Sequence, residues 1–502
     1  MEANWDVIVV GGGGSGLAAA LSATEQGGRV LILEKRPQLG GTTGIAVGSF
    51  TAAGTRLQQQ AGIEDHFQHH AEDVAQFADP NIEARNNHSL RTFFLNQAAD
   101  TLHWLQGLGL SFVGPHPEPP NRVPRMHNVV PGAKAYIAAF QLALQKTTCQ
   151  QLCGAQVKEL LFDEGRVVGV VAEVDNIQKT FHAQRGVILA AGDYSSSSEL
   201  IGQHKGTDFR QIEGINPHAN GEGHQLAAQA GAKLVNMDVT YGPELRFVAS
   251  RKNPFQQWLP SAGLGARLLG AIARRLPKWC LRNFIKRLLV TWQHPENQLF
   301  DDGAILVNQQ GNRFVNETAW PQRELAVAAQ EDKVAYILLD GRLINRYSEW
   351  PHFISTAPDI AYAYVADYQR LRADVTLQAE NLHQLAEQRG IPADSLAKTV
   401  AEFNRYVREE QTDPLGRSGD QFPLEQGPWL LLGPVKAYFT TTEGGAAVNQ
   451  QLQVLDANGQ PVPGLYAVGQ NGSGGIILWS HGLHIAWALT SGRLAGQAIM
   501  TD

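Results

Sequence analysis

The first apolar stretch of the chain, Val7-Ile-Val-Val10, is β-branched throughout and follows a single acid, Asp6. A short run with no polar alternation predicts a strand buried on both faces, as in a parallel sheet covered by helices. It stops at Gly11, and Leu17-Ala-Ala-Ala-Leu21 then opens a helix of small residues. The same pattern returns in Arg29–Leu33, which ends at Glu34, and in Gly186-Val-Ile-Leu-Ala-Ala191, which ends at Gly192. Gly154–Phe162 and Val167–Val174 read as paired strands around a turn at Asp163–Arg166. Helical periodicity covers 56–110, 133–146, 366–389 and 392–411, and a glycine-capped helix is predicted over 220–232. Residues 115–131 and 412–436 read as loops. Gly303–Asn308 and Gly311–Glu317 read as strand, turn and strand. Leu452–Asp456 and Gly464–Val468 read as strands before a last helix through Arg493 to Ile499. Strands and helices alternating in this way predict an α/β fold.

One stretch departs from this order. Pro277 separates two helical candidates. In the first, Leu264, Leu268, Ile272 and Leu276 recur every four residues. In the second, Leu281, Phe284, Ile285, Leu288 and Leu289 share a face beside Lys278, Arg282 and Lys286, with Trp279 and Trp292 near the ends. No acid lies between Glu244 and Glu296, where ten bases fall: Arg246, Arg251, Lys252, Arg267, Arg274, Arg275, Lys278, Arg282, Lys286 and Arg287. The whole chain of 502 residues carries a net charge of −7, so the asymmetry is local. A basic amphipathic segment predicts contact of residues 262–292 with a membrane surface; the alternative is a solvated hairpin covering a substrate site. Its bases are interleaved with aliphatic side chains, which argues against a nucleic-acid partner. No apolar run reaches the length of a spanning helix, and the N-terminus lacks a signal-peptide pattern. The expected location is cytoplasmic, with peripheral contact on the inner membrane face as the extension of that reading. Three cysteines, Cys149, Cys153 and Cys280, do not make a disulfide framework, and no metal site is expected.

The candidate chemistry begins where the first strand ends. Gly11, Gly13 and Gly16, with Gly14 and Ser15 between them, give the spacing G-x-G-x-x-G between a strand and a small-residue helix. The first glycine permits a tight turn, the second lets backbone approach a pyrophosphate, and the third lets helix and strand pack closely. Glu34 closes the second strand, where a carboxylate holds a ribose hydroxyl pair. Lys35 follows, and then a loop rich in glycine and threonine, including Gly41, Thr42, Thr43 and Gly48, whose amides and hydroxyls suit phosphates or a flavin ring. Glycine is concentrated toward both ends of the chain, as expected if both ends share one ligand site.

With VIVVGGGGSGLAAA, LEKRPQLGGTTG, VILAAGDYS, NGEGHQLAAQAGAKL, GAILVNQQGNRFVNE, QVLDANGQPVPGLYAVGQ and SGRLAGQAI in that order, the chain resembles one flavoprotein family along nearly its whole length. It is the family of fumarate reductase, 3-ketosteroid dehydrogenase and tricarballylate dehydrogenase. The resemblance implies a Rossmann-like FAD-binding domain built from residues 1–242 and 438–502, with an inserted α+β capping domain at 243–437. It implies non-covalent FAD. Gly11 to Gly16 would hold the pyrophosphate, Glu34 the adenosine ribose, and Gly41, Thr42 and Thr43 phosphate and flavin, with Lys35 and Gly48 in the same loop. Val157 would meet the adenine through its backbone, with Ala191 and Gly192 beside it. Gly469-Gln470 stands for the family's glycine-glutamate near the ribityl chain. Gly482 and Leu483 would open the last helix, whose N-terminus would face the flavin C2 carbonyl and stabilise the reduced anion.

The implied chemistry is hydride transfer between flavin N5 and a carbon, with a proton moved at the neighbouring carbon. In fumarate reductases the proton relay is an arginine shortly after RF-x-N-E; here Arg323 follows Arg313–Glu317 with about two extra residues. The family's substrate clamps are missing. No histidine precedes the glycines in Phe439-Thr-Thr-Thr-Glu-Gly-Gly445, no arginine lies in Ile476–His484, and the relay acid and second arginine have no match in Glu296–Asp302. An apolar ketone, steroid-like or lipid-derived, suits Trp479, Ile476 and Ile477 better than a dicarboxylate. Tyr241 is a candidate acid–base, as tyrosines are in the ketosteroid enzymes, and His481 is a third candidate catalytic residue. The expectation is an FAD-dependent oxidoreductase of CH–CH groups next to a carbonyl, with a small-molecule substrate. A di- or tricarboxylate enzyme clamped by Arg122, Arg125, His127 or the basic segment is the alternative; a non-enzymatic, membrane-associated flavin sensor is a further one. No CxxCH haem motif is present, so an external electron donor or acceptor is required.

Overall fold

A computed structural model describes residues 5–250, 259–273, 275, 286–287, 289–291, 294–357, 361–409, 412–418 and 422–501. The apolar run after Asp6 forms β1 (Trp5–Val10), the middle strand of a parallel sheet. On one side β1 pairs with β2 (Val30–Glu34), and β2 with Gln150–Cys153. On the other side it pairs with Ile177–Leu189, which pairs in turn with Pro461–Ala467. The last of these strands comes from the far end of the chain, so the two glycine-rich ends meet in one sheet.

Helix α1 (Gly14–Glu25) packs against the C-terminal helix Leu483–Thr501. The two backbones approach so closely that a Cβ on Gly492 or Gly496 would run into the carbonyls of Ser15 and Ala19. The small residues of α1 are therefore a packing requirement. Trp487 anchors the same helix, fully buried and edge-on to Phe94 at 5.4 Å. The expected short strand at 186–191 is the end of a longer one: Ile177–Val174 pairing begins an antiparallel ladder with Arg166–Val174, and only the last residues of Ile177–Leu189 join β1.

A second sheet is centred on Trp429–Phe439, flanked by Glu244–Phe247, Ala335–Leu339 and Thr376–Ala379. It has its own hydrophobic core, separate from the one around β1. Several expectations are corrected here. Residues 429–436 are this central strand, not loop; glycine-proline pairs at 427–428 and 433–434 disguised the apolar run Trp429–Leu432. The helix expected over 366–389 is Val365–Leu371 and Leu382–Arg389, with the strand Thr376–Ala379 between. Arg372 breaks it by turning to the carbonyls of Val248 and Val290 and to Asp374. Gly311–Glu317 is not a strand: Arg313 binds Glu317 and Asp413 and holds the segment irregular. The 115–131 loop is bounded by strands Ser111–His116 and Met126–Val130.

The first helical candidate of the acid-free stretch is observed at Gly263–Ala273, with its apolar side turned outward. Leu264, Leu268 and Ile272 are 82%, 65% and 48% exposed, while Ala266 and Gly270 face the protein, Gly270 against Ser111. Of the second candidate, Lys278, Trp279, Leu281, Arg282, Phe284, Ile285, Leu288 and Trp292 lie outside the described residues. Leu289 is buried in the second core, and Lys286 binds Asp367 at 2.9 Å. No helix among the described residues is long and apolar enough to cross a membrane.

Candidate functional site

The carboxyl ends of β1, β2, Ile177–Leu189 and Pro461–Ala467 open on one cleft, where ligands of open α/β sheets bind. Gly11, Gly13, Gly14, Ser15, Glu34, Lys35, Gly41, Thr42, Thr43, Val157, Ala191, Gly192, Gly469 and Gln470 all line it. Gly11 has a φ of +109° and its absent Cβ leaves room only for the Ala190 carbonyl. Above Gly13 the nearest atom to an added Cβ is Gly41 Cα at 3.8 Å, so this backbone is bare toward the cleft. Glu34 is buried with its oxygens fixed by the amides of Gly12 (2.7 Å) and Arg36 (2.9 Å). Gln470 donates to the Thr442 carbonyl at 2.6 Å, and its buried Oε1 has no partner.

Four residues of the expected cofactor set are not in the wall. Gly16 packs against the Gly11 carbonyl, Gly48 accepts from the Tyr136 hydroxyl, and Leu483 is buried beneath the cleft. Gly482, at φ +86°, makes the turn into the last helix with Thr51 Oγ1 only 2.8 Å from where a Cβ would lie. Sequence reasoning missed Asn216, which donates to Thr42 Oγ1 at 2.9 Å, and Glu222, which binds Lys35 at 2.6 Å. NGEGH was noticed, but nothing in it assigned Glu222 a partner.

A second cavity of about 650 Å³ adjoins this cleft. Tyr241 forms the wall between them: its ring lies 5.9 Å from that of Trp479, which lines the cavity, and 6.1 Å from that of His484, which lines the cleft. Among the described residues nothing bonds the Tyr241 hydroxyl. Burial, reinforced by the charge of Glu244, raises its pKa, so the phenol stays protonated.

Arg323 lines the cavity on the opposite side. It donates to Glu324 (2.5 Å), the Glu317 carbonyl (3.0 Å) and Asn297 (2.9 Å). Burial raises the pKa of Glu324 although Arg323 opposes it. Glu244, also in the wall, pairs with Arg246 at 2.8 Å. Burial alone would raise the Glu244 pKa, but Arg246 and His294 bring it below the usual carboxylate value.

His481 lies just past Trp479, with Nδ1 2.5 Å from Glu118 Oε1. Burial disfavours its charged form, yet the bond and charge of Glu118 outweigh this and raise its pKa. Glu118 comes from the proline-rich loop and went unrecognised, since no motif marks it. Ile476 and Ile477 are buried behind the cavity and do not line it. Arg122, Arg125 and His127 line neither cavity: Arg125 is locked to Asp65 and Asp73, Arg122 to Glu72 and Asp73, and His127 to Thr55. Burial pushes the His127 imidazole down to about 4.

A bare-backbone dinucleotide cleft, adjoined across one aromatic wall by a second cavity, defines a nucleotide-cofactor enzyme of the flavoprotein type. The chain belongs to the FAD binding domain family, whose profile matches residues 6–253 and 286–479, and it binds FAD. It is 26% identical to a fumarate reductase (cytochrome) of Shewanella frigidimarina over 98% of this chain and 76% of that one. The open conformation of a flavocytochrome c3 fumarate reductase superposes with a TM-score of 0.73 at 24% identity, covering 99% of this chain and 78% of the other. A 3-ketosteroid Δ1-dehydrogenase from Sterolibacterium denitrificans superposes at 0.63 and 19% identity, covering 99% of both chains. The cleft fits FAD in the chemistry it offers: an uncovered backbone at Gly13, a fixed carboxylate at Glu34 and a Gln470 oxygen without a partner among the described residues.

Proposed function

We propose that this FAD-dependent oxidoreductase of carbon–carbon double bonds acts on a neutral, largely apolar substrate, steroid-like or lipid-derived, whose double bond stands next to a carbonyl. The charge of the second cavity carries this reading. Asp79, Asp238, Glu244 and Glu324 line it, and the arginines near these acids are already paired: Arg85 with Asp238, Arg246 with Glu244 and Arg323 with Glu324. Arg323 is already bound to Glu324, and Lys205 lies beside the Asp238 carbonyl. A dianion entering this space would have to compete with these carboxylates for their arginines. Ile82, Val239, Leu245, Trp320 and Trp479 offer apolar surface instead.

Bound FAD supplies or takes up the hydride. Gly11, Gly13, Gly14 and Ser15 would hold its pyrophosphate, and Glu34 its ribose. Gly41 to Thr43 would meet phosphate and flavin, and Val157, Ala191 and Gly192 would surround the adenine side. Gly469 and Gln470 would lie along the ribityl chain. The Tyr241 hydroxyl, unbonded and protonated, suits a hydrogen bond to the substrate carbonyl, polarising the double bond. Arg323 supplies fixed positive charge, and His481 moves the proton. Trp479, Trp320 and Tyr241 limit water. Electrons enter or leave through an external partner.

A di- or tricarboxylate substrate is the second reading, favoured by Arg323 and by the similarity to a fumarate reductase. Anaerobic reoxidation of the reduced flavin separates the two: an enone is expected to reoxidise it and fumarate or aconitate is not. The two hydrophobic cores support an FAD-binding unit, 1–242 with 438–502, and a capping unit, 243–437, with Tyr194, Leu200, Ile201, Ile212, Met237 and Phe439 of the first packed into the core of the second. The outward leucines of Gly263–Ala273, in a stretch without acids, support contact with an anionic membrane surface, where substrates of this class partition.

A further inference from the structure

We infer that Glu118 is a positioning residue that orients His481, two residues past the cavity residue Trp479 and itself outside the cavity lining, as a proton donor to the substrate. The inference rests on the proposed reduction and adds the residue that orients its acid.

Glu118 is buried, 5% exposed, and three donors converge on its carboxylate: Ser480 Oγ at 2.8 Å, the His481 amide at 2.8 Å and His481 Nδ1 at 2.5 Å. This fixes Nδ1 as the bonded nitrogen and leaves Nε2 as the one able to deliver a proton. The backbone is held too: Thr51 Oγ1 donates to the His481 carbonyl at 2.6 Å, and Gly482 turns the chain at a left-handed φ. The imidazole is half exposed, so it can exchange protons with water, and Glu244 and Arg246 are the other charged groups that act on it. The bond and charge of Glu118 raise the His481 pKa and favour the imidazolium.

Arg323 is held differently. Its bonds run to the Glu324 carboxylate, a backbone carbonyl and the amide of Asn297, and its guanidinium faces the Phe300 ring. Of these only Glu324 can take a proton, and unlike the half-exposed His481 its side chain has no exposed surface.

In the reduction, bound FAD would supply the hydride to one carbon of the double bond. His481 Nε2 would give its proton to the other carbon. The neutral ring would take a new proton from water while Glu118 keeps Nδ1 bonded, and an external donor would supply the two electrons.

The test compares wild type, E118Q, E118A and H481A as FAD-loaded full chains. Glutamine keeps an acceptor for Nδ1 but removes the charge. With an enone substrate, E118Q is expected to move the alkaline limb of kcat down by about one unit or more, with KM and flavin content unchanged. H481A loses at least about 100-fold in kcat. The His481 titration, followed by NMR in the oxidised holoprotein without substrate, is expected to drop by the same amount in E118Q. E118Q titrating like wild type overturns the pairing. A normal pH limb with raised KM or lost flavin in both Glu118 variants makes the residue merely structural and overturns the inference. A wild type that reduces no double bond overturns the proposed function itself, while the NMR titration still reports on the pair.

Discussion

The guanidinium of Arg323 lies over the ring of Phe300, its Cζ 4.7 Å from the ring centre, while Nη2 bonds the Asn297 side-chain oxygen at 2.9 Å. An aromatic face and a neutral amide hold a cation in place but neither takes its proton. On these two sides Arg323 is a fixed charge; its third side-chain partner is the buried Glu324 carboxylate at 2.5 Å. Substituting Arg323 by Met strands the buried Glu324 without its partner, which costs about 3–5 kcal/mol. The expected result is a lower denaturation midpoint together with lost turnover, whereas R323K recovers part of both. An R323M protein of unchanged stability would show that Glu324 is already neutral.

Tyr241→Phe removes a hydroxyl that no described group bonds, while the ring contacts to Trp479 and His484 remain. Stability and FAD content are expected to stay near wild type, and kcat to fall about 10²- to 10⁴-fold. Because the phenol pKa is raised, Tyr241 keeps its proton throughout the range below its ordinary value near 10 and contributes no alkaline limb there. Steady-state kinetics across pH check both points.

Glu34 holds its place through the amides of Gly12 and Arg36. Charge-assisted hydrogen bonds of this kind are worth about 1.5–3 kcal/mol. E34A is expected to weaken FAD by about 10- to 100-fold, read by flavin fluorescence on dilution. Tight flavin in E34A would place the ribose elsewhere.

The helix Gly263–Ala273 gives a prediction with opposite signs for stability and binding. Leu264, Leu268 and Ile272 are largely exposed, so replacing all three by Ser removes little buried surface. Unfolding should be unchanged, while flotation with anionic vesicles should be lost; each leucine moved out of water is worth about 1.5–3 kcal/mol. Equal binding of variant and wild type contradicts membrane contact through this face.

What could be read from the sequence depended on how local the cause was. β1, its glycines and Glu34 were legible because strand pattern, turn chemistry and helix packing all fall within 30 residues. The absent clamps were legible as missing arginines and histidines. Trp429–Phe439 was hidden because glycine-proline pairs flank an apolar run too short to outweigh them. Glu118 was invisible since its partner is 363 positions away and its own proline-rich loop carries no motif. The positive φ angles and close packing of Gly48 and Gly482 were not legible, because a lone glycine does not say which of its uses applies. The apolar stripe of Gly263–Ala273 was legible, and its outward direction was not, because the Ala266 and Gly270 side packs where small residues allow close approach.

The central claim is that this flavoprotein reduces or forms a double bond beside a carbonyl in a neutral, apolar molecule. The most direct measurement is anaerobic: the purified protein is reduced with dithionite, and flavin absorbance is followed after adding a 3-ketosteroid enone, fumarate or aconitate. Rapid reoxidation by the enone, with the carboxylates inert, is the predicted result. Reoxidation by fumarate or aconitate but not by the enone would contradict it, and would mean that Arg323 and Lys205 clamp an acid despite the carboxylates around them.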